Sequence, residues 1–315
     1  MLTHKIFEEL RKEIGKVIIG QEEIIENILI AFFSQGHVLL EGVPGTAKTL
    51  MVKTLSHIIE CTFERIQFTP DMMPSDVVGT HVFDMKTSEF YLKKGPIFTN
   101  LLLADEINRT SPKTQSALLE AMEEGQVTIE GERNKLSDLF LVFATQNPIE
   151  FEGTYPLPEA QMDRFMFKIT IDYPGRDREV EILKAYHGGF NPRKLDGIAF
   201  EKMNYIDFLP RILEEIQNVT VRDEIFEYII QINDMTRKDS NVVLGASPRG
   251  AISLLLSSKA RAAVRSRDYI IPDDVKESAY PVLRHRLLLR PEAEIEGMTS
   301  DDIIRNILSR VEVPR

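Results

Sequence analysis

A single cysteine, Cys61, leaves this 315-residue chain no partner for an internal disulfide. It follows an apolar helical pattern, where it reads as a small core residue without a chemical role. Long apolar runs are also missing. Ile28 to Phe33 and Leu139 to Ala144 fall far short of the roughly 20 residues that cross a bilayer, so no membrane span is expected. The start, Met1 to Lys16, has apolar residues at helical spacing. It lacks the cationic opening and apolar centre of a signal peptide, which predicts a cytoplasmic protein. Positive charge is in deficit: 38 Lys and Arg face 49 Asp and Glu, a formal charge of −11. The average field therefore repels nucleic acid and anionic lipid, although a basic stripe inside a ring is compatible with that total. No tandem repeat or low-complexity tract occurs. At roughly 100 to 200 residues per domain, the length predicts two domains.

What is present is an alternation. Short apolar runs at His37 to Glu41, Phe63 to Phe68, Leu101 to Ala104, Leu139 to Thr145 and Met166 to Ile171 read as buried strands. Helical spacing lies between them, as at Ser116 to Met122, introduced by Ser111-Pro112 and closed by Gly125. Strands alternating with helices predict an α/β fold with a parallel sheet covered on both faces. Two stretches break the pattern and read as β-hairpins at the edges of the core. In one, within Asp71 to Pro96, His81 to Phe83 and Phe90 to Leu92 flank a polar turn; the other is Val127 to Leu136, with Gly131 near its turn. After Tyr173-Pro174-Gly175 the strand signal stops and helical spacing takes over, at Arg178 to Tyr186, Phe208 to Gln217, Asp223 to Thr236, Pro248 to Ser266 and Asp273 to Arg286. Pro281 interrupts the last. The expected division is 1–173 and 174–315.

Gly42-Val43-Pro44-Gly45-Thr46-Ala47-Lys48-Thr49 lies between a strand and a helical stretch. Glycines let backbone N–H groups turn inward around phosphate oxygens, and the following helix presents its positive end. Lys48 neutralises the outer phosphates, and the Thr49 hydroxyl can ligate magnesium. The chain thus reads as an ATP-binding and ATP-hydrolysing protein of the P-loop class. Ala47 stands where the motif usually has glycine, which is acceptable if that position is helical. Asp105 and Glu106 end an apolar run beside this loop. Asp105 suits a magnesium-associated carboxylate, and Glu106 suits the base for an attacking water. Asn147 ends the next strand and can hold that water with Glu106; a turn residue before Pro148 is the other reading. Arg249 follows the N-cap pair Ser247-Pro248, a cation at the positive end of its helix. That placement calls for an anion, either a nucleotide phosphate or a carboxylate.

Gly42 to Thr49, Leu101 to Glu106, Asn147, Met162-Asp163-Arg164-Phe165 and Gly245 to Arg249, in this order, resemble an AAA+ ATPase. Asp105-Glu106-Ile107-Asn108-Arg109, Gln115 to Met122 and Ala144 to Pro148 look like the MoxR family in particular, whose phosphate loop also carries alanine before its lysine. The resemblance covers nearly the whole chain. It implies a five-stranded core in order 5-1-4-3-2, a helical lid, and a ring, usually hexameric, with ATP and Mg2+ between subunits. It further implies that Arg164 faces a neighbouring subunit, an ion pair with Asp163 or another acid being the alternative. Ile18 and Ile19 would lie on the adenine side, with core packing as their other role. Arg109 would either touch a neighbour or start a helix. By the same resemblance the protein is a chaperone-like ATPase for protein clients, some with von Willebrand factor A domains; no such domain occurs in this chain. A nucleic-acid motor or transcription activator would need basic hairpin tips. Here acids interrupt the basic residues: Asp84, Glu89, Glu130 and Glu132 stand among Lys86, Lys93, Lys94, Arg133 and Lys135. A nucleotide-regulated scaffold would need no positioned water.

Overall fold

The five apolar runs form one parallel sheet. In the computed structural model, which describes residues 1–148, 153–192 and 195–314, its strands are Val38–Gly42, Phe63–Gln67, Leu101–Asp105, Leu141–Gln146 and Phe167–Ile171. From one edge they run second, third, fourth, first, fifth, which is 5-1-4-3-2 read from the other edge. Every neighbouring pair is parallel. Because side chains alternate across a sheet, Leu101, Leu103 and Phe143 enter one core, while Leu102, Ala104 and Val142 enter the other. The first core also holds the N-terminal helices Leu2–Gly15 and Glu22–Phe33 and much of the C-terminal helical region. The second lies under helix Pro112–Glu124. Ser111 caps that helix by accepting from the Thr114 N–H, Pro112 takes its first turn, and Gly125 closes it at φ +61°. Cys61 is half-buried and burial pushes its thiol up to about 12, in line with a packing role.

Both hairpins are present, at Gly79–Asp84 with Glu89–Lys94 and at Gln126–Ile129 with Glu132–Lys135. The tight turn of the second is Glu130-Gly131, both at positive φ, as a two-residue hairpin requires. His81 on the first hairpin stands 3.3 Å from Glu130 and 3.7 Å from Glu132 on the second.

The C-terminal region is not wholly helical. Between helices lies a two-stranded ribbon, Val242–Leu244 with Leu288–Leu289, too short to show a period-two pattern in sequence. Pro281 sits in the last turn of helix Pro272–Leu283, which continues through it. Arg286 fastens this region to the core, donating to Asp163 Oδ1 at 2.7 Å and to the Phe165 carbonyl at 2.7 Å. Ser247 donates to the other Asp163 oxygen at 2.8 Å. No helix among the described residues is long and apolar enough to cross a membrane.

His37 joins the first and fourth strands to helix Pro112–Glu124. Its Nδ1 accepts from the Val142 N–H and its Nε2 donates to the Met122 carbonyl, each at 3.0 Å. The ring is thus held neutral, and burial pushes its pKa down to about 4. The unfolded chain takes up this proton near 6.5, the native one only near 4. The stability linked to His37 is therefore complete above pH 6.5 and is lost as pH falls toward 4. Between pH 7 and pH 5 the loss should be about 1 to 2 kcal/mol. Urea unfolding at both pH values should show a smaller loss for His37→Gln; an unchanged loss would sink the assignment.

Candidate nucleotide-binding and hydrolytic site

The first strand ends at Gly42, where an added Cβ would come within 2.3 Å of the Ile171 carbonyl oxygen, so the neighbouring strand itself demands glycine. Gly45 then turns at φ +85°, and Ala47 at φ +64°. Ala47 is thus not helical, contrary to the expectation from sequence. It occupies the left-handed position just before helix Lys48–Ile58, at a cost of about 1 to 2 kcal/mol for a residue with a Cβ. Left-handed turns ahead of a helix aim successive N–H groups to a concave side, which makes an anion cradle. The Lys48 ammonium donates to the Gly42 and Val43 carbonyls, the latter at 3.0 Å. Burial pushes its pKa down, while Asp105, Glu106 and Glu41 pull it up.

A cavity of about 420 Å³ opens over this loop, lined by Pro44 to Leu50, Asp105, Glu106, Thr145, Gln146, Asn147, Tyr186 and Pro192. The parallel register brings these together, since the third and fourth strands end side by side next to the first. Thr145 locks the two acids in place: its hydroxyl donates to Asp105 Oδ1 at 2.6 Å and accepts from the Glu106 N–H at 2.9 Å. Arg65 donates to the other Asp105 oxygen at 2.5 and 3.1 Å. Glu106, in the left-handed region at φ +57°, turns its carboxylate toward Gln67 and Arg109, at 2.7 and 3.1 Å. Among the described residues no three His, Cys, Asp or Glu gather as a metal cage. Thr49 and Asp105 present oxygens to this cavity and fit a magnesium that would take its remaining oxygens from a polyphosphate and water.

Beside the loop lies a narrower slot of about 140 Å³ with largely apolar walls. It is lined by Val17, Ile18 and Ile19, by Thr46, Ala47 and Leu50 of the phosphate loop and its helix, and by Ile182, Tyr186 and Phe190. Ile18 is a core residue and also lines the slot, whereas Ile19 is half-buried, lies outside the core and lines the slot alone.

The two arginines are elsewhere. Arg249 donates to Glu123 Oε1 at 2.5 Å. Arg164 stands 3.9 Å from Glu123 Oε2 and donates to the Leu119 carbonyl at 2.6 Å. Neither lines the cavity. Glu123 is at the end of helix Pro112–Glu124 near His37, where the strands begin, whereas the phosphate loop follows a strand end. A five-residue strand separates the two edges by about 16 Å. The cause is the tether at Asp163, which holds Ser247, and with it Arg249, to the amino-terminal edge of the sheet. The anion beside Arg249 within its own chain is therefore a carboxylate.

Arg65 and Gln67 carry no signal readable in the sequence alone. Arg65 and Gln67 share one face of the strand Phe63–Gln67, and pairing places Gln67 opposite Asp105. That signal becomes readable only when this strand is set beside the third.

Residues 37–167 match the model of the ATPase family associated with various cellular activities (AAA), and residues 234–307 match an AAA lid domain. The uncharacterized protein YeaC of Bacillus subtilis is 49% identical over 99% of this chain and 96% of its own length. Chaperone MoxR1 of Mycobacterium tuberculosis is 43% identical over 96% of this chain and 81% of its own. A crystal structure from Cytophaga hutchinsonii, described as that of an ATPase candidate, superposes with a TM-score of 0.89. It is 43% identical and covers 100% of this chain and 96% of that one.

Proposed function

The chain belongs to the MoxR family of AAA+ ATPases, and from that premise we propose that its ATP hydrolysis drives remodelling or maturation of another protein, within a ring of six subunits. The observation that carries this reading is the division of the polar and charged residues assigned to the chemistry. Lys48, Thr49, Asp105, Glu106 and Asn147 gather at one cavity, while Arg164 and Arg249 are held together at the opposite edge. A site built this way is complete only when another copy lends its arginines.

In this assignment the loop from Gly42 to Thr49 grips the phosphates, and the Ile18 and Ile19 slot takes the base. Thr49 and Asp105 would hold magnesium, which would supply neutralisation of the charge on the transferring phosphoryl group. Glu106 takes the proton of the attacking water, which Asn147 orients. Gln67, Arg109 and Thr145 keep Glu106 aimed. The division at residue 173 separates this core from the lid.

The partner is a protein from another chain, of the von Willebrand factor A type, met in the cytoplasm. Nucleic acid is not favoured, because His81 sits among Glu130 and Glu132, where the two hairpins come together. The test is affinity capture with Glu106→Gln in ATP. The same protein should be retained with ATP and released with ADP, and short DNA or RNA should not raise turnover. Nucleic-acid-stimulated turnover with submicromolar, salt-dependent affinity would replace this reading with that of a motor.

A further inference from the structure

Two apolar stripes lie on the outside of the chain, and each begins at a functional group. On helix Pro248–Val264, Arg249, Ile252 and Leu256 share one face by their spacing of three and then four. Ile252 is 57% exposed and Leu256 40%. Helix Arg176–His187 buries none of its residues within the chain, yet it carries Val180, Leu183 and Tyr186, with Leu183 70% exposed. Tyr186 lines the phosphate cavity. Its inward face, at Ile182 and Ala185, is only half-buried, so the helix draws little stability from packing within the chain and its exposed apolar stripe is suited to being covered.

We propose that the two stripes meet between copies of this chain. The lid stripe of one subunit lies along helix Arg176–His187 of the next, Arg249 reaches that subunit's phosphate cavity beside Tyr186, and Ile252 packs on Leu183 and Leu256 on Val180. The inference rests on the reading of Arg249 as completing a neighbour's site. Charge supports it, since the arginine end of one stripe meets the end of the other that opens on the phosphate cradle. Length supports it as well: Arg249 to Leu256 spans about 10 Å and Val180 to Tyr186 about 9 Å at the helical rise. Different surfaces on the two sides make the contact head-to-tail, the kind that closes into a ring. Two short stripes bury far less than the roughly 1,000 Å² of a stable interface. The arginine–phosphate contact has to supply the remainder, so assembly depends on ATP.

Sedimentation of the Glu106→Gln protein with saturating ATP, across a range of concentrations, tests the pairing. Leu183→Glu and Ile252→Lys should each raise the concentration needed for assembly about tenfold or more. Both changes in one chain should bring it back to within about threefold. Phe226→Glu, on the exposed face of helix Asp223–Lys238, should leave it unchanged. Each variant is first shown to bind a fluorescent ATP analogue, so that misfolding is not mistaken for lost assembly. Should the parent assemble and either single variant assemble equally well, or the double variant fail to recover, the stripe pairing is wrong while the shared-site reading stands. A parent that stays monomeric with ATP at every concentration overturns both.

Discussion

Glu106→Gln should bind ATP as the parent does and turn it over about 10² to 10⁴ times more slowly, the usual loss when a general base is removed. The amide keeps the shape of the carboxylate and can still meet Gln67 and Arg109, and the Glu106 N–H to Thr145 is untouched. What it cannot do is take a proton. Lys48→Ala should give the reverse division. Its ammonium makes charge-assisted bonds, each contributing about 1.5 to 3 kcal/mol, so affinity should fall about ten- to a hundredfold or more. Nucleotide titration beside phosphate release separates the two effects. Turnover of Glu106→Gln near the parent's rate would remove it as the base.

Arg164→Ala should be slow even in saturating ATP, by about 10³ or more, because a finger supplied by a neighbour stabilises charge on the transferring phosphoryl group. The placement of the residue makes this specific. Within its own chain Arg164 is bound to Leu119 and close to Glu123, well away from the phosphate loop, and so has no route to its own nucleotide. Turnover per subunit should therefore rise with protein concentration. In a mixture of Arg164→Ala with Lys48→Ala, some interfaces pair an intact loop with an intact arginine. Those interfaces should recover activity that neither variant has alone. An isolated Arg164→Ala monomer with full activity would end the proposal.

Much of this architecture was legible in the chain. The sheet announced itself because its strands are buried on both faces, so runs such as Leu101-Leu102-Leu103-Ala104 stand out without any alternation. The residues around the cavity could be read because a phosphate loop and the acids after a buried strand have fixed positions relative to a parallel sheet. Phe63–Gln67 was visible as a strand, but its polar face was not understood. Arg65 and Gln67 look like solvent-facing residues of an edge strand until the register sets them against Asp105 and Glu106. The site of Arg249 was hidden for a different reason. The helix start and its capping serine were plain, but where that helix docks is decided by Asp163 with Arg286, residues far apart in sequence. The ribbon Val242–Leu244 with Leu288–Leu289 was beyond reach because two or three residues carry no periodicity. Ala47 shows that a residue type can be right for a reason other than the one first given.

Helix Pro112–Glu124 touches both halves of this chemistry. Near its start, Gln115 donates to the Ile107 carbonyl, one residue beyond Glu106, and near its end Glu123 holds the arginine pair. Its 13 residues make a rod about 20 Å long. In the ring proposed above, a rod that stiff would act as a lever, carrying any shift of Glu106 in one subunit to the arginines that this subunit extends to the next.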